Sequence, residues 1–430
     1  MTIRERITSI RPAVILLIGW SVFAIYAFPG LLTADSFAQL DDARSGVFRD
    51  INPPLMAALW WAIDKVIAGP FPMLVLQSVT LVAGVHLIAR RFVRERAAAI
   101  CAVAVLLAPP VLAVESVIWT HSLFAGLALL GTGLVIDPRP RVRNAGIAVL
   151  ALAGGLRDSA PVATLPLVVL VVGDQLGWEA WRRYGIAFAI WLGCTLAVCG
   201  ANAALVDEHW PSLLPAVDVA GTLAKADDLD PAHVRDLLDN ADLVERDPQA
   251  YARAHYEAAS GWGLALFALR APMSDAQART LVHARRTLIR EQPGAYLRHR
   301  LDTYAVVLGL SGDAWSKKLV VTHDYQEPQL LAKANVPRGY TKLQGWIGEA
   351  LDMLAKTPLF RPWLYVLLAI ALVVAFRRDA VLRGLLASGL ALELSLVYNA
   401  GAPDFRESHW LATTALVAAA IAIARRFSRR

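Results

Sequence analysis

Apolar residues in this 430-residue chain gather into long runs instead of alternating with polar ones. That is the pattern of helices surrounded by lipid, not of half-buried strands. The runs lie near residues 12–32, 72–89, 97–113, 119–136, 144–156, 160–175, 184–205, 360–376, 380–398 and 409–425. Roughly 17 to 25 apolar residues reach across a bilayer, and shorter runs cross where the membrane is thin or the neighbours compensate. The pattern predicts an all-α, polytopic integral membrane protein of about ten transmembrane helices. Leu55–Ala68 is apolar as well, but Pro53-Pro54 leads it and Gly69-Pro70 breaks it, so an interfacial helix that does not cross is expected there.

Loop charge sets the orientation, because Lys and Arg beside a span favour the cytoplasm. The basic blocks are the N-terminal arm, Arg90-Arg91 with Arg94 and Arg96, Arg139 with Arg141 and Arg143, Arg182-Arg183, Arg377-Arg378 with Arg383, and Arg425-Arg426 with Arg429-Arg430. Under this threading all of them share one face, and one crossing too many or too few would scatter them. Both termini are expected in the cytoplasm. Three parts result: an N-terminal transmembrane module over 1–205 with its first outer loop at 35–71, an extracytoplasmic domain over 206–359, and C-terminal transmembrane helices over 360–430. Helical patterning at Pro231–Leu243 and Asp275–Arg290 makes the middle part small and mostly helical. Trp315, Trp346, Trp363 and Tyr365 are expected near the headgroups. The first run ends at Phe28-Pro29-Gly30 without a small-residue cleavage site, which marks an uncleaved span.

Composition agrees: 57% of residues are hydrophobic and 18% charged, with a mean hydropathy of +0.47, outside the range of soluble domains. The net charge of +6 comes from the short basic anchors and not from a separate basic domain, so nucleic acid is not an expected partner. Cys101, Cys194 and Cys199 lie inside apolar runs, and neither a disulfide nor a zinc site is expected. No Gly-rich nucleotide cradle appears, and the cytoplasmic loops are too short for a nucleotide-sugar domain.

The polar clusters fall outside the membrane in this threading. Asp35 follows directly on the first span, where a carboxylate can act as a general base or as a ligand for a hydroxyl or metal; it can equally cap the helix opening at Ser36. Asp41 and Asp42 cannot share a helix face, and solvation is the expected role of both. Arg157, between two short apolar segments, needs a partner, either a phosphate or the adjacent Asp158. Arg406, flanked by Asp404 and Glu407, reads first as a structural ion pair. His121 is expected at the interface, touching nothing else. Arg298, His299 and Arg300 form a basic patch, most simply a headgroup-facing helix end, and His323-Asp324-Tyr325 is a further polar cluster.

Together these stretches resemble the C-fold (GT-C) glycosyltransferases. The resemblance rests on Asp35 after the first span, on Asn52-Pro53-Pro54-Leu55, on Leu156-Arg157-Asp158 before an apolar run, and on Asp404-Phe405-Arg406 before the last span. The last is similar to an Asp-Phe-Arg-Tyr motif of poorly characterised bacterial members. Where related proteins often carry a second Asp in a Trp-Lys-Asp-like context, this chain reads Trp119-Thr120-His121-Ser122, with Glu115 upstream. Either His121 or Glu115 takes that place, which leaves metal dependence open.

The resemblance implies transfer of a sugar from a polyprenyl-phosphate donor to an envelope glycan, lipid or protein, on the periplasmic side of a bacterial inner membrane. Asp35 would be the general base. Arg157, Asn52, Asp42, Glu115, His121, Asp404 and Arg406 would contact substrate, and a divalent cation on Asp35 and His121 is the one cofactor left open. Two rivals stand beside it. An O-antigen polymerase or ligase would rely on outer-loop residues such as Arg298 and Arg300. A transporter or flippase of lipid-linked sugars would need charge deep in its spans, where His86 and Glu393 are the main examples.

Overall fold

The computed structural model describes residues 11–175, 180–208, 214–238, 247–258, 274–311, 331–332, 341–400 and 404–428. Trp315 and His323-Asp324-Tyr325 lie outside them, as do the ends of the basic N- and C-terminal arms. Among the described residues the chain is all-α, with only two isolated bridges. In order the helices are α1 (Pro12–Ala27), α2 (Ala34–Ser45), α3 (Leu55–Asp64), α4 (Phe71–Ala89), α5 (Glu95–Leu106), α6 (Pro109–Glu115), α7 (Thr120–Val135), α8 (Pro140–Gly154), α9 (Ala160–Pro166) and α10 (Ala180–Leu205). There follow α11 (Leu214–Lys225), α12 (Pro231–Leu237), α13 (Pro248–His255), α14 (Asp275–Glu291), α15 (Pro293–Val307), α16 (Lys342–Ala355), α17 (Pro362–Ala375), α18 (Ala380–Asn399) and α19 (His409–Ser428).

A helix or a broken helix occupies each of the apolar runs, and prolines set the breaks. Pro109-Pro110 separates α5 from α6 with a bend of 68°. Pro166, which has no N–H to donate, precedes a wide π turn over Leu167–Val172. Among the described residues, four helices are long and apolar enough to cross a membrane, five when the bent pair counts as one span. Where α4 meets α7, Gly84 and Gly126 let the helices approach closely, as small residues do between helices in lipid. Over its apolar length α10 is almost wholly exposed, with Trp181, Leu192 and Leu196 open to the surroundings.

A second, smaller core is built from α11, α12, α13 and α14, with Val217, Leu223, Leu281 and Leu288 buried in it. The helix expected over Pro231–Leu243 ends at Leu237, short of residues outside the description. The helix expected over Leu55–Ala68 is shorter: α3 stops at Asp64, with Met56 and Trp60 buried in the main core and Trp61 exposed.

Candidate functional site

Two extended segments are pinned side by side and bring the first motifs together. Leu31 N–H donates to Ser116 O at 3.0 Å, and Ile118 N–H donates to Leu31 O at 3.0 Å. Gly30 makes the turn out of α1 at φ +115°, a region that a Cβ disfavours, and a Cβ there would also meet Ile118 at 2.7 Å. The segments open α2 and α7 next to each other. Thr33 begins α2: its N–H donates to Ser36 Oγ at 3.1 Å, and Ser36 Oγ donates to Ile118 O at 2.7 Å. Thr33, not Asp35, is therefore the capping residue, and the Asp35 carboxylate is left half exposed in the first turn.

Across from it stands the 3-10 turn Phe405–Ser408 that precedes α19. Arg406 Nη1 pairs with Asp35 Oδ2, and its Nη2 lies 3.4 Å from Asp404. The guanidinium stacks 4.9 Å from the centre of the Trp119 ring, whose indole N–H donates to Thr33 Oγ1 at 2.8 Å. The neighbouring Glu407 accepts from Arg157 Nη2 at 2.6 Å and lies 3.2 Å from His121 Nε2. Arg157 is buried, and its Nη1 finds no acceptor among the described residues.

Most sequence candidates thus meet, though not with the expected partners. Arg157 binds Glu407, 250 residues away, and not Asp158, which is exposed. Arg406 reaches beyond its flanking acids to Asp35. His121, expected to touch nothing, is buried beside Glu407. Deeper still, Glu115 Oε2 stands 3.6 Å from His409 Nε2, and Ser408 Oγ donates to Glu393 at 3.0 Å. Asp42, expected to be solvated, is buried; burial pushes it up to about 6 against the pull of Arg49 at 3.3 Å. Asn52 is half-buried ahead of α3 and is not among the side chains that join the cluster.

Two residues went unsingled in the sequence. Glu407 was visible only as a flank of Arg406, yet it holds both Arg157 and His121. Asn202, near the end of α10, accepts from Leu55 N–H at 3.1 Å and donates to Gly155 O at 2.8 Å, so it ties the start of α3 to the Arg157 turn. Its only signal was an amide within an otherwise apolar run. The patch at 298–300 is likewise not a solvated helix end: His299 and Arg300 are buried and face Asp218.

Among the described residues no three His, Cys, Asp or Glu side chains converge as metal ligands. Asp35 faces Arg406, and His121 faces Glu407.

No protein-family model matches the chain, and neither does any curated protein. Two solved structures of ArnT from Cupriavidus metallidurans are similar to it, each at 14% identity and a TM-score of 0.35. The apo structure covers 95% of this chain and 76% of its own; the structure bound to undecaprenyl phosphate covers 97% and 78%. At that TM-score the likeness carries no weight for fold or activity.

Proposed function

We propose that the chain is a C-fold membrane glycosyltransferase that moves a sugar from a polyprenyl monophosphate to an acceptor on the extracytoplasmic face, with about ten spans and both termini cytoplasmic. One observation carries the reading. Asp35, Arg157 and the Asp404–Glu407 turn, from three of the four stretches on which the family resemblance rests, form one ion-paired cluster although more than a hundred residues separate them. Charges gathered at the ends of apolar helices are costly and therefore rare, which makes a cluster of them a functional-site candidate.

In the transfer, the bond between the anomeric carbon and the phosphate oxygen breaks, and the phosphate leaves with the electron pair. The acceptor oxygen bonds to the anomeric carbon, and its proton passes to Asp35. Arg406 occupies the Asp35 carboxylate and Glu407 occupies Arg157. A phosphate offers these guanidinium forks more acceptor oxygens and more charge than one carboxylate does. Its arrival draws both arginines onto the leaving group and leaves Asp35 unpaired, so donor binding and activation of the base become one event. Asp404 steers Arg406, and His121 takes up the Glu407 carboxylate that Arg157 releases.

The rival that relies on Arg298 and Arg300 has less support, because Arg300 is only 2% exposed and already engaged by Asp218. The test is sugar transfer by purified, detergent-solubilised protein from a panel of polyprenyl-phosphate sugars to crude envelope acceptors, comparing wild type with Asp35→Asn and Arg157→Ala. Product formed by wild type and lost in both variants supports the reading. Lipid binding without transfer, unchanged by Asp35→Asn, would turn it toward a transporter.

A further inference from the structure

The turn that supplies Arg406 and Glu407 hangs from the end of α18, and that end is held by a side chain from elsewhere. Arg300, on α15, donates Nε to Val397 O at 3.0 Å and Nη1 to Ala400 O at 3.0 Å. These are carbonyls at the C-terminus of a helix, which lack partners within it and carry its negative dipole end. The Arg300 side chain is 2% exposed, and Asp218 Oδ1, at 3.2 Å and wholly buried, balances its charge. Asp218 is in turn fixed by Arg285 Nε at 2.6 Å and by His299 Nε2 at 3.1 Å. His299 packs on the α11 backbone only because residue 221 is glycine, where a Cβ would fall 2.1 Å from the imidazole. Beyond Ala400, the described chain resumes at Asp404 and enters the Phe405–Ser408 turn, which α15 also touches.

We propose that Arg300 is a positioning residue for the transfer site: it anchors the last turn of α18 to the second core and so sets where Arg406 and Glu407 stand. The proposal rests on the reading of that turn as part of the site. Arg300 does not touch the substrate. It acts through two carbonyls, and the second core becomes a brace for the site. A lysine can keep the charge beside Asp218, but its single ammonium cannot reproduce the planar fork that reaches both carbonyls and the carboxylate together.

The test compares Arg300→Lys, Arg300→Met and Tyr256→Phe in the full-length detergent-solubilised protein. Tyr256 Oη lies 2.6 Å from His299 Nδ1, so its loss weakens the same buried cluster without touching the α18 carbonyls. Three quantities are read: amide exchange of the 397–408 segment, thermal unfolding, and kcat for transfer from a polyprenyl-phosphate sugar. Arg300→Met is expected to speed exchange across 397–408 and to lower kcat by roughly 10- to 100-fold, the scale of loss when a reacting constellation is displaced by about an ångström. Arg300→Lys should unfold near the wild-type temperature and still lose about tenfold in kcat, since positioning and not stability is what it gives up. Tyr256→Phe should leave both kcat and the exchange of 397–408 unchanged.

Unchanged exchange in Arg300→Met, full kcat in Arg300→Lys, or an equal loss of kcat in Tyr256→Phe would each overturn the proposal. If the wild-type protein transfers no sugar, the transfer reading has failed on its own, and the exchange comparison still decides the anchor.

Discussion

Two charged clusters of similar composition sit in very different surroundings. At the candidate site, Asp35 is 47% exposed, and Asp35 and Glu407 are each matched to a cation from a distant part of the chain. In the second core, Asp218 and His299 are fully buried and Arg300 nearly so, with three cationic or N–H-bearing side chains on one carboxylate. Water at the half-exposed Asp35 lowers the cost of exchanging its partner, whereas a sealed pair that loses one partner leaves an uncompensated charge. The first arrangement suits groups that must hand themselves to an incoming phosphate. The second suits a fixed brace.

The sharpest way to break this contrast is to remove one carboxylate from each cluster. Asp35→Asn is expected to lower sugar transfer by about 10² to 10⁴-fold, the usual contribution of a general base, while its unfolding temperature in detergent stays close to wild type. A variant that keeps most of its activity would remove Asp35 from the mechanism. Asp218→Asn should do the reverse: it strips the buried Arg300 and the half-buried Arg285 of their common partner and should cost roughly 3 to 5 kcal/mol of stability. Denaturant unfolding in detergent measures this, and a change below about 1 kcal/mol would mean that the two clusters do not differ as described.

The difference in surroundings also explains what could be read from the sequence. Helix positions were legible because apolar runs of this length leave little choice of structure, whereas the breaks at Pro109-Pro110 and Pro166 went unread inside the runs 97–113 and 160–175. Arg157 and Arg406 were legible as charges that need partners, since polar groups at span ends stand out against their neighbours. Their pairing was not legible. A phosphate and the adjacent Asp158 were the partners the sequence offered Arg157, but nothing local to the turn says that Glu407, 250 positions later, will be there. Arg300 was misread for the same reason: a basic run looks like a solvated helix end until Asp218 is known to lie against it. Asp42 needed Arg49 and burial to be seen as anything but surface.

A gentler probe of the sealed cluster is pH. Burial lowers the His299 pKa below its ordinary value, more than contact with Asp218 raises it. A neutral imidazole donates Nε2–H to Asp218 and accepts at Nδ1 from Tyr256. Because the unfolded chain takes up the proton near pH 6.5 and the folded one only below that, the stability contributed by neutral His299 is complete above about pH 6.5 and is lost as pH falls toward the folded value. Thermal unfolding in detergent should therefore weaken between pH 7 and pH 5.5, with a smaller slope in Tyr256→Phe. A slope of the opposite sign would mean that His299 is charged in the fold.

The smallest effect isolates burial from every other variable. Lys225 Nζ and Asp302 Oδ2, 2.6 Å apart, join the same two helices, α11 and α15, that Asp218 joins to His299 and Arg300. Their side chains are 38% and 48% exposed. An exposed pair of this kind is worth about 0.2 to 1 kcal/mol and weakens as salt rises. Lys225→Met is expected to shift denaturant unfolding by no more than that amount at low salt, and by nothing measurable near 1 M, where the Debye length is about 3 Å. With helix pair and charge types held nearly constant, the ratio of this shift to that of Asp218→Asn measures what exclusion of water adds. A loss in Lys225→Met comparable to that in Asp218→Asn would mean that the α11–α15 contact, and not burial of its charges, accounts for the rigidity of the brace.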